Sequence, residues 1–177
     1  IRLGEADVMI GAGTESMSMI PMGGSRISAN EQIFLKDENV GIAYGMGITA
    51  EKVAEQWKVS REAQDAFATE SHRRALAGID KGEFRDEISP YEVRERVPDF
   101  EHHQVNVNSK VIATDEGPRA GTTPEVLAKL RPAFAAKGSV TAGNSSQTSD
   151  GAGAVILASG AAMKRFNLQP IGRFLGF

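Results

Sequence analysis

The sequence predicts an α/β core interrupted by a long, helix-rich insertion, and three observations lead there. A short apolar run near the start, Ala6–Ile10, and a second near the end, Ala154–Ala158, are each flanked by glycines and read as buried strands. Between them lie more than a hundred residues in which the clearest patterns are amphipathic helices. No internal repeat or low-complexity segment breaks that order. The turn before the second strand, Gly143-Asn144-Ser145-Ser146-Gln147, falls at the edge of a sheet. There it can offer backbone N–H groups and hydroxyls to a ligand without disturbing a core.

Composition narrows the classes of function. The 177 residues suffice for one core of ordinary size, and a net charge of -3 gives no electrostatic reason to expect nucleic acid or an anionic membrane as partner. No apolar run reaches the roughly 18 residues of a membrane span, and no secretory signal is visible. The expected setting is intracellular, cytoplasmic by default, with an organelle matrix left open. Zero cysteines exclude disulfides, thiolate metal sites and a cysteine nucleophile within these residues. The sequence opens on Ile1 without an initiator Met and closes on an apolar run, Ile171 to Phe177, so both ends are expected to continue into a longer protein.

Taken in order, Ala6–Ile10 is a buried strand that Gly11-Ala12-Gly13 stops. G-A-G-T-E-S lacks the third glycine of a dinucleotide fingerprint, so the glycines are read as close packing at a strand end. Met17, Met19 and Met22 read as fillers of core gaps. Residues 25–42 have weak periodicity and read as a surface excursion. Thr49 is placed as the cap of a helix whose apolar face is Val53, Ala54 and Trp57. Ser60 caps a second helix that ends between Gly78 and Gly82, and the two form a helical hairpin laid on the sheet. Phe84–Val93, which contains Pro90, reads as an edge strand. Residues 94–113 are polar, and His102 and His103, adjacent on extended chain, point to opposite sides as surface residues. Thr123 at N-cap, Pro124 at the first helical position and Glu125 in the first turn start a helix that Pro132 ends, with Val126, Leu127 and Leu130 on its apolar side. Ser139-Val140-Thr141 is expected to be extended.

The motifs then carry recognition. G-A-G-T-E-S-M-S-M-I-P-M-G-G (11–24), M-G-I-T-A-E-K-V-A (46–54), S-R-E-A-Q-D-A-F-A-T-E-S-H-R-R-A (60–75), D-E-G-P-R (115–119), T-T-P-E-V-L-A-K-L-R-P-A-F (122–134) and G-S-V-T-A-G-N-S-S-Q-T-S-D-G-A (138–152) stand in one order along the chain. With these strings the chain resembles the thiolase family, and the degradative 3-ketoacyl-CoA thiolases in particular. The resemblance implies part of a thiolase fold: a loop domain plus flanking core strands. In that frame residues 1–16 end the first core half, 17–137 form the loop domain, 138–169 return to the first half, and 170–177 open a strand of the second.

The resemblance also implies an activity, the exchange of an acyl group with coenzyme A by an acyltransferase. The family's nucleophilic cysteine, its histidine and its second cysteine match no position here, since His72, His102 and His103 lie outside the catalytic strings. These residues alone are therefore expected to be inactive and to supply CoA and acyl-CoA binding, with CoA as substrate and no separate cofactor or metal. Three positions carry over. Arg119, in D-E-G-P-R, matches a basic residue near the adenine and phosphates. Ser146, in G-N-S-S, matches a serine on the pantetheine arm, and Met46, in G-M-G, a methionine near the acyl end. Each has a plainer role open to it: Arg119 paired with Asp115 or Glu116, Ser146 as a turn hydroxyl, Met46 as core. Gly45 stands where some biosynthetic members carry His, which implies room for longer acyl chains. The family's homodimers or homotetramers are the expected assembly. Two other readings stay beside this one: a non-catalytic CoA-binding or assembly module, and a serine hydrolase built on Ser146, Asp150 and a histidine.

Overall fold

The computed structural model describes residues 1–36, 38 and 40–176. The chain divides into two units, Ile1–Ala29 with Thr148–Phe177, and Asn30–Gln147. The first unit holds an antiparallel pair, β1 (Val8–Glu15) and β4 (Gly151–Ala158), in a register that runs from Val8 opposite Ala158 to Glu15 opposite Gly151. The glycines at 11 and 13 do not stop β1: Gly13 faces Gly153 and Ala12 faces Ala154, so small residues meet in this half of the ladder, while Ile10 faces Ile156 and Met9 faces Leu157 in the other. Both strands were expected to be buried on both faces, yet β1 is exposed throughout and β4 is exposed up to Leu157. β4 has one neighbour, β1, and within their unit no second layer covers them. Ser159 then caps a short helix, α4 (Gly160–Arg165), by accepting from Ala162 N–H, and its own N–H donates to Asp7 C=O at 2.8 Å. Residues 170–176 form no strand. Met19 and Met22 are exposed rather than filling a core, in an irregular stretch whose Ser18 N–H and hydroxyl both donate to Asp150, at 2.8 and 2.6 Å.

In the second unit two short 3-10 turns, Glu31–Phe34 and Val40–Ala43, lead to α1 (Met46–Trp57). The cap of α1 is Gly45, not Thr49; Thr49 lies inside the first turn and donates its hydroxyl back to Gly45 C=O at 3.3 Å. Lys58 turns the chain in the left-handed region, and Ser60 caps α2 (Arg61–Lys81) as expected, accepting from Ala63 N–H. Gly82, at φ +72, closes α2 in a conformation that costs glycine nothing. The helical partner of α2 is α3 (Pro124–Leu127) rather than a sheet, and α3 starts on the expected Thr123 cap. The predicted strand at 84–93 is displaced: β2 runs Tyr91–Asp99, after turns at 82–87, and pairs with β3 (Gln104–Ile112) in a hairpin. His102 and His103 therefore stand in the hairpin turn, His103 at φ +51, rather than on extended chain.

Ser139-Val140-Thr141 is buried to half-buried but belongs to no sheet. Side chains take the place of a ladder. Glu51 of α1 accepts from the N–H groups of Ser139 and Val140, both at 2.9 Å, and Asn144 Oδ1 accepts from Thr141 N–H at 2.7 Å. Satisfying buried N–H groups this way is what lets an irregular segment sit inside.

Candidate functional site

The site is built on α2. One line of that helix carries Arg61, Asp65 and His72, which at 100° per residue fall within about 40° of one another. Asp65, 2% exposed, accepts from Arg61 Nε at 2.8 Å and from Asn144 Nδ2 at 2.9 Å. Arg61 also donates to the carbonyls of Leu127 and Leu130, tying α3 to the same carboxylate. A buried charge is tolerated when it is paired and hydrogen-bonded, and this one is both. Asn144, held by Asp65, fixes the turn from Thr141: Gly143 N–H donates to Thr141 Oγ1 at 3.2 Å and Ser145 Oγ to Thr141 C=O at 2.6 Å. Gly143 is required by close approach, since a Cβ there would lie 2.5 Å from Leu130 and 2.6 Å from Leu127.

This turn presents Ser146. Its side chain is exposed and donates to the neighbouring Gln147 C=O, at 3.1 Å, and its oxygen has acceptor capacity besides. The segment carrying Arg119 lies beside it. Gly117 sits against Gln147, where a Cβ would come within 2.5 Å of the carboxamide oxygen. Arg119 N–H donates to His72 Nδ1 at 3.1 Å, and Arg119 C=O accepts from Thr122 Oγ1 at 2.9 Å. The Arg119 side chain is exposed and has no carboxylate within ion-pair distance among the described residues. Glu116 pairs instead with Lys110 at 3.6 Å, so the expected alternative, Arg119 neutralised by its own turn, does not form. Two other arginines nearby on α2, Arg73 and Arg74, are both committed to Glu70, and together they hold that carboxyl down to about 2.

Met46 is joined to the same turn indirectly. It is the first residue of α1 and 73% exposed, so it is not core. Gly47 beside it packs against the Phe134 ring, and Glu51 one turn further on holds residues 139 and 140. The structure thus brings the segments bearing Arg119 and Ser146 together through Gly117 and Gln147, and places Met46 on the helix that holds residues 139 and 140, just before the Ser146 turn. Glu51, Asp65, Asn144 and His72 were not singled out from the sequence. The Arg61–Asp65 pair had a signal, opposite charges at i and i+4; its burial and its partner Asn144 had none.

The acid and two of the histidines of the hydrolase reading each have another partner. Asp150 is bound by Ser18, His72 by Arg119 N–H, and His102 Nδ1 lies 3.0 Å from Asp99. Among the described residues no group of three or more His, Asp or Glu side chains is arranged to hold a metal, and no helix is long and apolar enough to cross a membrane.

Comparison with known proteins agrees with this architecture. Residues 1–161 match the family model of the thiolase N-terminal domain. The chain is 44% identical over 178 residues to a 3-ketoacyl-CoA thiolase of Bacillus subtilis, covering 100% of this chain and 44% of that protein. It is 43% identical over 187 residues to an acetyl-CoA acetyltransferase of Pseudomonas aeruginosa, covering 100% of this chain and 45% of that protein. The crystal structure of the dimeric peroxisomal thiolase of Saccharomyces cerevisiae superposes with a TM-score of 0.69 at 34% identity, over 97% of this chain and 41% of that one. The chain spans under half the length of these relatives, and its fold is the corresponding part of theirs. Motifs, family model and superposition agree: the chain belongs to the thiolase family.

Proposed function

We propose that these residues form the CoA-holding part of a thiolase-type acyltransferase, one that cleaves a 3-ketoacyl-CoA with CoA to acetyl-CoA and a shortened acyl-CoA, or runs the condensation in reverse. The observation that carries this reading is the uncommitted guanidinium of Arg119 beside the exposed hydroxyl of Ser146. A planar cation suits the phosphates and the adenine of a nucleotide, and a hydroxyl suits the amide groups of a pantetheine arm. Met46, flexible and exposed, is placed at the acyl end, where an unbranched thioether adapts to different chains. The 177 residues contain no cysteine, so the covalent acyl transfer belongs to residues outside them; their share is to bind and orient both thioesters. The working assembly is a homodimer or homotetramer, in the cytoplasm or an organelle matrix.

In the protein carrying this chain at its natural length, Arg119→Ala should raise KM for CoA about tenfold or more, the worth of a charge-assisted hydrogen bond. Ser146→Ala should raise it about threefold to tenfold, with kcat little changed in both. Unchanged KM in both variants contradicts the reading. The alternative reading is a CoA-binding or assembly module that performs no chemistry. Assay of that natural-length protein separates them, because the module binds CoA and turns nothing over.

A further inference from the structure

We propose that His72 is a positioning residue for anion recognition: its imidazole anchors the backbone of Arg119 so that the guanidinium faces the nucleotide phosphates of CoA. The inference rests on the CoA reading above and adds to it the element that sets the geometry. Residues 113–120 contain no helix or strand, so no ladder fixes the chain at Arg119. The Thr122 hydroxyl bond to Arg119 C=O is local, three residues away. The bond from Arg119 N–H to His72 Nδ1, 3.1 Å long, is the one that reaches across 47 residues to a long helix. As an acceptor at Nδ1 the ring is neutral and carries its proton on Nε2.

The same line of α2 holds the other recognition segment. Asp65 binds Asn144, which shapes the turn before Ser146, and His72 stands seven residues further along, about 10 Å at 1.5 Å per residue. One 21-residue helix therefore sets the spacing between the segment assigned to the phosphates and the segment assigned to the pantetheine arm. Arg73 and Arg74, next to His72 in sequence, cannot substitute for Arg119 without giving up Glu70.

The test is steady-state kinetics of the natural-length protein with CoA and, separately, with pantetheine, which carries the thiol but no nucleotide. His72→Leu should raise KM for CoA about threefold to tenfold, the range of one net hydrogen bond, and leave KM for pantetheine and kcat unchanged. His72→Asn, whose amide oxygen can accept the same N–H, should return KM for CoA to within about twofold of the parent protein's value. The double variant Arg119→Ala with His72→Leu should be no weaker than Arg119→Ala alone. KM for CoA unchanged in His72→Leu but raised in Arg119→Ala overturns the inference alone. KM raised equally for CoA and pantetheine shows a merely structural role and overturns it too. KM unchanged in Arg119→Ala overturns the inference, and unchanged in Ser146→Ala as well it overturns the CoA reading with it. A measurement needing no variant is the nitrogen shift of the His72 ring with CoA bound: the Nε2–H tautomer is expected, and the Nδ1–H tautomer contradicts the anchor.

Discussion

Asp65 decides how firmly the turn at Ser146 is held. Its carboxylate is the shared acceptor for Arg61 and Asn144, and Arg61 is itself only partly exposed. Asp65→Ala leaves that cation without its counter-charge and frees Asn144, so it should cost about 3 kcal/mol or more, read as a lower urea midpoint. Gly45 is the position at which the proposed room for longer acyl chains is tested. A Cβ added there meets nothing within 4 Å, so the space beside the start of α1 is open. Filling it with Gly45→His should lower kcat/KM for long 3-ketoacyl-CoA substrates several-fold more than for the four-carbon one. Equal losses along a chain-length series would show that Gly45 does not face the acyl chain. At this scale the motifs in the sequence singled out Arg119, Ser146 and Met46 but not the residues that support their segments. Arg119, Ser146 and Met46 were legible because whole motifs carry them. Asn144 could not be paired with Asp65, 79 positions away, and His72 carried no mark of its contact with Arg119.

The elements differ in how far their signals are local. The starts of α2 and α3 were readable because a single hydroxyl, Ser60 or Thr123, satisfies a terminal N–H within three residues. The β2–β3 hairpin was missed although its signal is present: Tyr91, Val93 and Val97 alternate with Glu92, Arg94 and Arg96, and Val105, Val107 and Val111 with Asn106, Asn108 and Lys110, interrupted by Glu95 and Ser109. Its turn is organised by Asp99. That carboxylate accepts from the N–H groups of Glu101 and His102, both at 3.1 Å, and from the His102 ring. These bonds, led by the backbone N–H of His102, hold the Asp99 carboxyl below the usual aspartate range. A depressed folded-state value means that the stabilisation is present above the ordinary value of about 3.9 and is lost as pH falls through the lower folded-state value. Amide exchange at Glu101 and His102, corrected for intrinsic rates, should therefore stay protected at about pH 5 and lose protection only on further acidification. Asp99→Ala should remove the protection at all pH values and leave CoA binding unchanged. Protection at Glu101 and His102 that survives Asp99→Ala would assign the turn to other forces.

On the scale of the whole molecule, each of the two units carries little enclosed apolar core. Leu127, Val140 and Ala162 are the buried apolar side chains among the described residues. Ile10 and Ile156, opposite each other in the β1–β4 ladder, are about 70% exposed, at 69% and 72%. The strands were legible as apolar runs, and their continuation to Glu15 and back to Gly151 was not, because glycine and alanine carry no periodic signal. What is well satisfied is the polar network of the second unit: Glu51, Arg61, Asp65 and Asn144 hold the turn before Ser146, and His72 on the same helix as Asp65 holds the backbone of Arg119. The most direct test of that claim is a crystal structure of the natural-length protein with CoA bound. The nucleotide phosphates or adenine should lie against the Arg119 guanidinium, with the pantetheine arm within hydrogen-bond distance of Ser146 Oγ. CoA bound elsewhere, with both side chains left in solvent, would contradict the account.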